Sequence, residues 1–223
     1  MGMQKEPYYT SETIKANSQK LLSFVEPLRQ RHADIIFKHE KAALLVLDLQ
    51  EYFLQGDSHA FIPSAPAILP GICELIAAFK SADHPVVFTR HINTPKDAGM
   101  MSKWWRDLIN PETARSQNII TNTTKSIHIN KTQYDAFHHT TLEDKLHMLK
   151  IEQVVICGVM THLCCETTAR SAFMRGFEVF FAVDGTATYN EELHRASLLT
   201  LAHGFAIPVL IEELLAAMES DET

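Results

Sequence analysis

A chain of 223 residues, 46% of them hydrophobic, is long enough to bury a sizeable core and short enough that one domain is expected. The formal net charge of -7 leaves no basic footprint for nucleic acid, no apolar stretch approaches the roughly 20 residues of a membrane span, and the opening Met1-Gly2-Met3-Gln4-Lys5-Glu6 lacks the apolar region of a signal peptide. Four cysteines, two of them adjacent at Cys164 and Cys165, do not make a secreted disulfide framework and show no zinc-knuckle spacing, so a cytoplasmic setting and a small-molecule partner are expected.

Residues 1–40 are polar and mixed and read as an arm packed on a domain spanning 41–223; a helix-compatible patch at 18–25 is expected to break at Pro27. From residue 42 to 49 a continuous apolar run of strand length is interrupted only near its end, by Asp48. Similar runs recur at 86–92, 126–130, 153–159, 178–183 and 206–211, separated mostly by helix-period segments. The expectation is α/β: a three-layer α/β/α, Rossmann-like fold on a six-stranded, mainly parallel sheet. Helices are predicted over 141–149, over 164–175 with Gly176 as the stop, and from a capping box at Thr188-Tyr189-Asn190-Glu191 to Gly204. The longest stretch without a period, 93–124, reads as an ordered functional loop. Its apolar cluster Met100-Met101-Ser102-Lys103-Trp104-Trp105 lines a pocket, packs beneath a lid or meets a neighbouring subunit. Glu219, Asp221 and Glu222 form a short acidic tail.

Right-handed crossovers would align the carboxyl ends of the strands along one rim, where open α/β sheets bind ligands. Cys164 falls at a strand-to-helix turn on that rim, where the positive end of the helix dipole favours a nucleophilic thiolate. Taken alone, a cysteine is more often a small core hydrophobe, and Cys157 in its strand and Cys73 in an apolar helical pattern read as packing residues. Asp48 ends an otherwise buried strand and needs a partner, either as a general base or as a structural cap or ion pair. Lys131, at another strand end, suits that partnership or is simply solvated.

The run Gly158-Val159-Met160-Thr161-His162-Leu163-Cys164, with Leu47-Asp48-Leu49-Gln50-Glu51-Tyr52-Phe53 and Lys131-Thr132-Gln133-Tyr134-Asp135-Ala136-Phe137, resembles the cysteine, aspartate and lysine motifs of the isochorismatase-like cysteine hydrolases, in the family's order. The likeness extends from about residue 42 to 215. It implies a catalytic group of Asp48, Lys131 and Cys164, with the aspartate deprotonating a cysteine that attacks a small-molecule amide or related C–N bond and forms a covalent intermediate. It further implies a cis peptide between Val159 and Met160, an oxyanion hole from the backbone N–H groups of Met160 and Cys164, and assembly as a dimer or tetramer. Cys165, one residue further into the helix, is expected to point elsewhere, and His162 borders substrate or is a neutral turn histidine.

The metal-ligand pattern of the superfamily's nicotinamidases is missing from Phe88-Thr89-Arg90-His91-Ile92-Asn93-Thr94-Pro95. With His91 standing alone, no metal and no other cofactor is expected, and nicotinamide is disfavoured. Arg90, Trp104 and Tyr134 are the candidate substrate contacts, Arg90 through a substrate carboxylate. Two alternatives stand beside amide hydrolysis. One is an isochorismatase-type vinyl-ether hydrolase, whose branch the stretches 131–137 and 172–174 resemble; the other is a non-catalytic binding or assembly protein on the same fold.

Overall fold

Parallel strands covered by helices on both faces need apolar side chains on both sides of the pleat, and the continuous runs in this sequence meet that demand. In the computed structural model, which describes residues 4–112, 115, 118, 120 and 126–219, they become six strands. These are β1 (Ala42–Leu47), β2 (Val86–His91), β3 (Ile127–Lys131), β4 (Gln153–Val159), β5 (Glu178–Ala187) and β6 (Ile207–Val209). Every residue of β1 and β4, the two central strands, is buried. The sheet order is β3-β2-β1-β4-β5-β6 and, among the described residues, every pairing between its strands is parallel, so the fold is three-layer α/β/α on a parallel sheet. The chain winds outward through β2 and β3, then returns to the other side of β1 with β4. The strand order therefore reverses between β1 and β4, where a crevice opens beyond their carboxyl ends.

The principal helices are α1 (Ile14–Arg29), α2 (Glu51–Leu54), α3 (Ala65–Ser81), α4 (Met101–Trp104), α5 (Leu142–Met148), α6 (Glu166–Met174), α7 (Glu191–Gly204) and α8 (Ile211–Glu219). Among the described residues no helix is long and apolar enough to cross a membrane.

Several boundaries differ from the sequence reading, each for a local reason. Helix α1 runs through Pro27, because a proline near the end of a helix removes one hydrogen bond where few remain, and Arg29 is anchored to Glu213 at 2.6 Å. Strand β5 continues past Val183 to Ala187: a register shift between Ile156 and Gly158 leaves residues 182–185 opposite Cys157 alone, and pairing resumes at Thr186. Strand β6 is shorter than expected because Ile211 already opens α8, its N–H donating to the Asp184 carboxylate at 2.9 Å. Helix α7 is capped two residues later than predicted: the Asn190 side chain accepts from the Leu193 N–H at 3.0 Å, and the Thr188 hydroxyl pairs with His162 instead. Cys73 is exposed, since the buried stripe of α3 passes through Ile68, Ile72, Leu75, Ile76 and Phe79 and leaves the residue after Ile72 to one side. Part of the 93–124 loop and the tail residues Asp221 and Glu222 lie outside the described residues.

Candidate active site

Three chain segments meet in the crevice beyond β1 and β4. Asp48 directly follows β1 and is completely buried, with a left-handed backbone at φ 51° that turns the chain sharply off the strand. Gln50 locks that turn to β2, its side-chain amide donating to the His91 carbonyl at 2.9 Å and its oxygen accepting the His91 N–H at 2.8 Å. Lys131 is the last residue of β3, at the sheet edge, and its long stem carries the ammonium back over β2 to the crevice. Cys164 lies in a wide π-type turn, Thr161–Cys165, between β4 and α6. Leu163 and Cys165 both donate their N–H groups to the Met160 carbonyl there, and the Val159–Met160 peptide bond is cis. Close approach of β4 to β1 requires Gly158: its φ is +116° and a Cβ would run into the backbone carbonyl of Leu47.

Lys131 Nζ lies 2.7 Å from Asp48 Oδ2 and 3.2 Å from Cys164 Sγ, and it also donates to the Gln133 carbonyl at 3.0 Å. The other Asp48 oxygen accepts from the Thr89 hydroxyl at 2.7 Å. The structure thus brings Asp48, Lys131 and Cys164 into mutual reach. Burial by itself would raise the Asp48 carboxyl, but the Lys131 charge and the neighbouring His91 ring, with hydrogen bonds from Cys164 and Lys131, hold it below the usual range. Burial likewise opposes the Lys131 ammonium, and the Asp48 carboxylate together with the Cys164 sulfur more than offsets it, so Lys131 stays charged. The Cys164 thiol is pushed up to about 12, chiefly by burial, with Lys131 working against that and Asp48 adding to it. The resting group is therefore carboxylate, ammonium and neutral thiol. That corrects the expectation of a thiolate favoured by the helix dipole: desolvation and the neighbouring carboxylate outweigh it.

Above this group opens a cavity of about 160 Å³ with Cys164 and His91 at its base. Its walls include Tyr52, Trp105, Tyr134, Leu163 and Tyr189, and the Trp105 indole N–H donates to the Tyr134 hydroxyl at 2.7 Å. Of the three predicted substrate contacts only Tyr134 lines this cavity. Arg90 points to the opposite side of β2 from Thr89 and His91, as strand alternation requires, and donates to Asn130 at 3.1 Å beside His128. Trp104 is exposed, while Met101 and Trp105, one helical turn apart, share the face toward the cavity. Thr89 was missed in the sequence, and within the apolar cluster 100–105 Trp104 was singled out where Met101 and Trp105 line the cavity; the period-two pattern of β2 and the four-residue spacing to Met101 were the available signals.

His91 does not stand alone, contrary to expectation: Asp48, His91 and Cys164 place ligand-type atoms within 4.8 Å of one another. The Lys131 ammonium lies among them, 3.4 Å from His91 Nδ1, and His91 Nε2 is taken by the Asn93 side chain at 2.7 Å. A dication at that point would face a fixed positive charge that already balances the carboxylate, so these residues do not fit a metal.

Burial also lowers the His91 imidazole to about 4 and that of His194, behind the turn, to about 3, so both are neutral when folded. An unfolded histidine titrates near 6.5. Below that pH the unfolded chain takes up protons the folded state refuses, so stability is complete above about pH 6.5 and falls as the medium is acidified toward pH 4. Each such histidine contributes about 1.4 kcal/mol per pH unit. Asp184, raised by burial to about 6, opposes the loss between its unfolded value and 6. Urea unfolding between pH 7 and pH 4 is expected to show a net decline, shallower in a His194→Gln variant.

The family model described as Isochorismatase domain matches residues 42–213. The chain is 41% identical to a protein named Nicotinamidase 3 from Arabidopsis thaliana, covering 78% of this chain and 86% of the relative. Among solved structures, a cysteine hydrolase from Pseudomonas syringae pv. phaseolicola 1448A superposes with a TM-score of 0.79 at 24% identity, over 82% of this chain and 95% of that one. The pyrazinamidase of Pyrococcus horikoshii in complex with zinc does so with a TM-score of 0.71 at 25% identity, over 76% and 99%. A domain match over most of the chain, a relative of this identity and a shared three-layer architecture agree: the chain belongs to the isochorismatase family and is a hydrolase.

Proposed function

We propose that this protein hydrolyses a small, planar, uncharged carboxamide through a covalent Cys164 intermediate. The observation that carries the reading is the Asp48–Lys131–Cys164 group at the base of an aromatic-walled cavity. An apolar cavity of about 150 Å³ holds one benzene ring, so this one suits a single-ring amide. In the reaction Asp48 accepts the thiol proton as sulfur adds to the carbonyl carbon, while the N–H groups of Met160 and Cys164 receive the developing oxyanion. Asp48 returns the proton to the departing nitrogen, ammonia or an amine leaves, and a thioester remains. Water, deprotonated by Asp48, releases the acid and restores the thiol. Lys131 keeps Asp48 ionised at rest and stabilises negative charge on sulfur.

The similarity to a protein named Nicotinamidase 3 makes nicotinamide a fitting first amide, although the missing ligand motif had spoken against it. Vinyl-ether hydrolysis of isochorismate is the second reading, favoured by the family model. Its substrate is a dianion, whereas Lys131 is committed to Asp48, Arg90 lies outside the cavity and Arg106, which lines it, is paired with Asp107 at 3.6 Å. A non-catalytic role gives no reason to maintain a buried thiol, acid and amine in contact. A cytoplasmic dimer or tetramer completes the reading, with exposed Phe173, Met174 and Met148 as available apolar surface; sedimentation velocity checks the assembly. Ammonia release from nicotinamide, benzamide and short aliphatic amides is expected to be greatest for the aromatic amides, with isochorismate inert. Isochorismate turnover that survives Cys164→Ala would overturn the proposal.

A further inference from the structure

Residues 4–9 precede the matched family domain, yet they are tied to it at almost every position. The Glu6 N–H donates to the Tyr189 carbonyl at 2.8 Å, and the Glu6 carboxylate accepts from the Glu191 N–H at 3.0 Å. Ser64 donates to the Glu6 carbonyl at 3.4 Å and accepts from the Tyr9 N–H at 3.0 Å. Lys5 donates to the carbonyls of His59 and Phe61 at 2.5 and 3.0 Å, and its ammonium sits 4.3 Å from the centre of the Tyr189 ring. His59 and Tyr189 both line the cavity, but they come from loops about 130 residues apart in sequence. Lys5 touches both.

Tyr8 reaches the other working part of the site. Its ring is buried, and its hydroxyl oxygen accepts the Thr188 N–H at 3.0 Å and lies 2.8 Å from His194 Nδ1. His194 Nδ1 is also 3.4 Å from the Thr161 hydroxyl, and the Thr188 hydroxyl pairs with His162 Nδ1 at 2.6 Å. Thr161 and His162 open the turn that carries Cys164. The other His194 nitrogen is buried without a hydrogen-bond partner, so Nδ1 is the ring's polar anchor in this pocket. One phenol hydroxyl thereby connects the Thr188 loop, α7 and the nucleophile turn.

We infer that residues 4–9 form a strap that sets the geometry of the active site, with Lys5 a positioning residue for the cavity wall and Tyr8 a positioning residue for the Cys164 turn. This rests on the assignment of Cys164 as nucleophile. The two residues act on different parts of the site, so their loss separates kinetically. A displaced nucleophile lowers the rate of the chemical step, whereas a loosened wall weakens substrate binding in ground and transition states alike.

Steady-state kinetics on the best amide of the panel, with thermal unfolding of each variant, test this. Tyr8→Phe keeps the ring and removes only the hydroxyl; kcat is expected to fall about tenfold with KM within about twofold. Lys5→Met keeps the stem and removes the charge; KM is expected to rise about fivefold with kcat retained. Unchanged constants in both variants, or losses in both that merely follow the unfolded fraction, would overturn the strap. Cys164→Ala is assayed in parallel. Turnover surviving in that variant removes the nucleophile assignment, and the kcat–KM separation in the other two variants still decides whether the strap shapes the site.

Discussion

Cys164→Ala is expected to lose at least about 10⁴-fold in kcat toward amide substrates while its melting temperature stays within a few degrees of wild type. The size of the loss follows from the proposed covalent route: without sulfur, water would have to attack the amide directly, aided only by binding and the proposed oxyanion donors. The small effect on folding follows from the site. The side chain is small, the Asp48–Lys131 pair at 2.7 Å remains to balance both buried charges, and the Thr89 bond to Asp48 is untouched. Mass spectrometry of wild type quenched soon after mixing with substrate should show an acyl adduct on the peptide containing Cys164, absent from the variant. An adduct on Cys165 or Cys73, or none in a variant-sensitive reaction, would count against the mechanism. Cys165 is fully buried and, unlike Cys164, neither lines the cavity nor meets the Lys131 ammonium, so it offers no competing nucleophile.

Lys131→Met is expected to cost about 3–5 kcal/mol of stability at neutral pH, a far larger effect than any exposed lysine would give. Both partners of the Lys131–Asp48 pair are inaccessible to solvent, and removing the ammonium strands a carboxylate in a place where water cannot reach it. The sign of the pH dependence distinguishes this cause from a packing defect. In wild type the Asp48 carboxyl is held below the usual range, so its contribution is present above the unfolded value and lost as pH falls through the folded one. Without Lys131 the same carboxyl is raised, so the folded variant takes up a proton first. Its deficit relative to wild type therefore narrows as pH falls from 7 to 5 and widens again as pH rises. Adding Asp48→Asn, which keeps the turn and an acceptor for Thr89, should recover part of the loss. Denaturant titrations of the two single variants and the double variant across that pH range measure both effects. A deficit independent of pH and not relieved in the double variant would mean that the pair is not what stabilises this part of the fold.

Much of this architecture was legible before any coordinates. Strands buried on both faces leave unbroken apolar runs, and a carboxylate at the end of one of them, Asp48, stands out because nothing in a dry strand end tolerates it without a partner. The elements that were misplaced lie where a strand is interrupted by a bulge, as at Asp184 and Gly185, or where a helix begins without a break in hydrophobicity, as at Ile211. The substrate contacts were less legible. Arg90 and His91 are adjacent, and only the position of β2 within the sheet decides which of them faces the cavity. Trp104 and Trp105 likewise differ only in where the short helix α4 points them.

The sequence by itself determined the layered α/β fold, the order of the three motif-bearing segments and the residue types available for chemistry, because burial pattern and motif spacing are local properties of the chain. Tertiary structure alone decided that Lys131 stands between Asp48 and Cys164, that the thiol is neutral at rest, and that Tyr8 and Lys5 bind to loops more than 50 residues away. These are consequences of distance and desolvation between segments remote in sequence, and neither quantity exists until the sheet has closed around them.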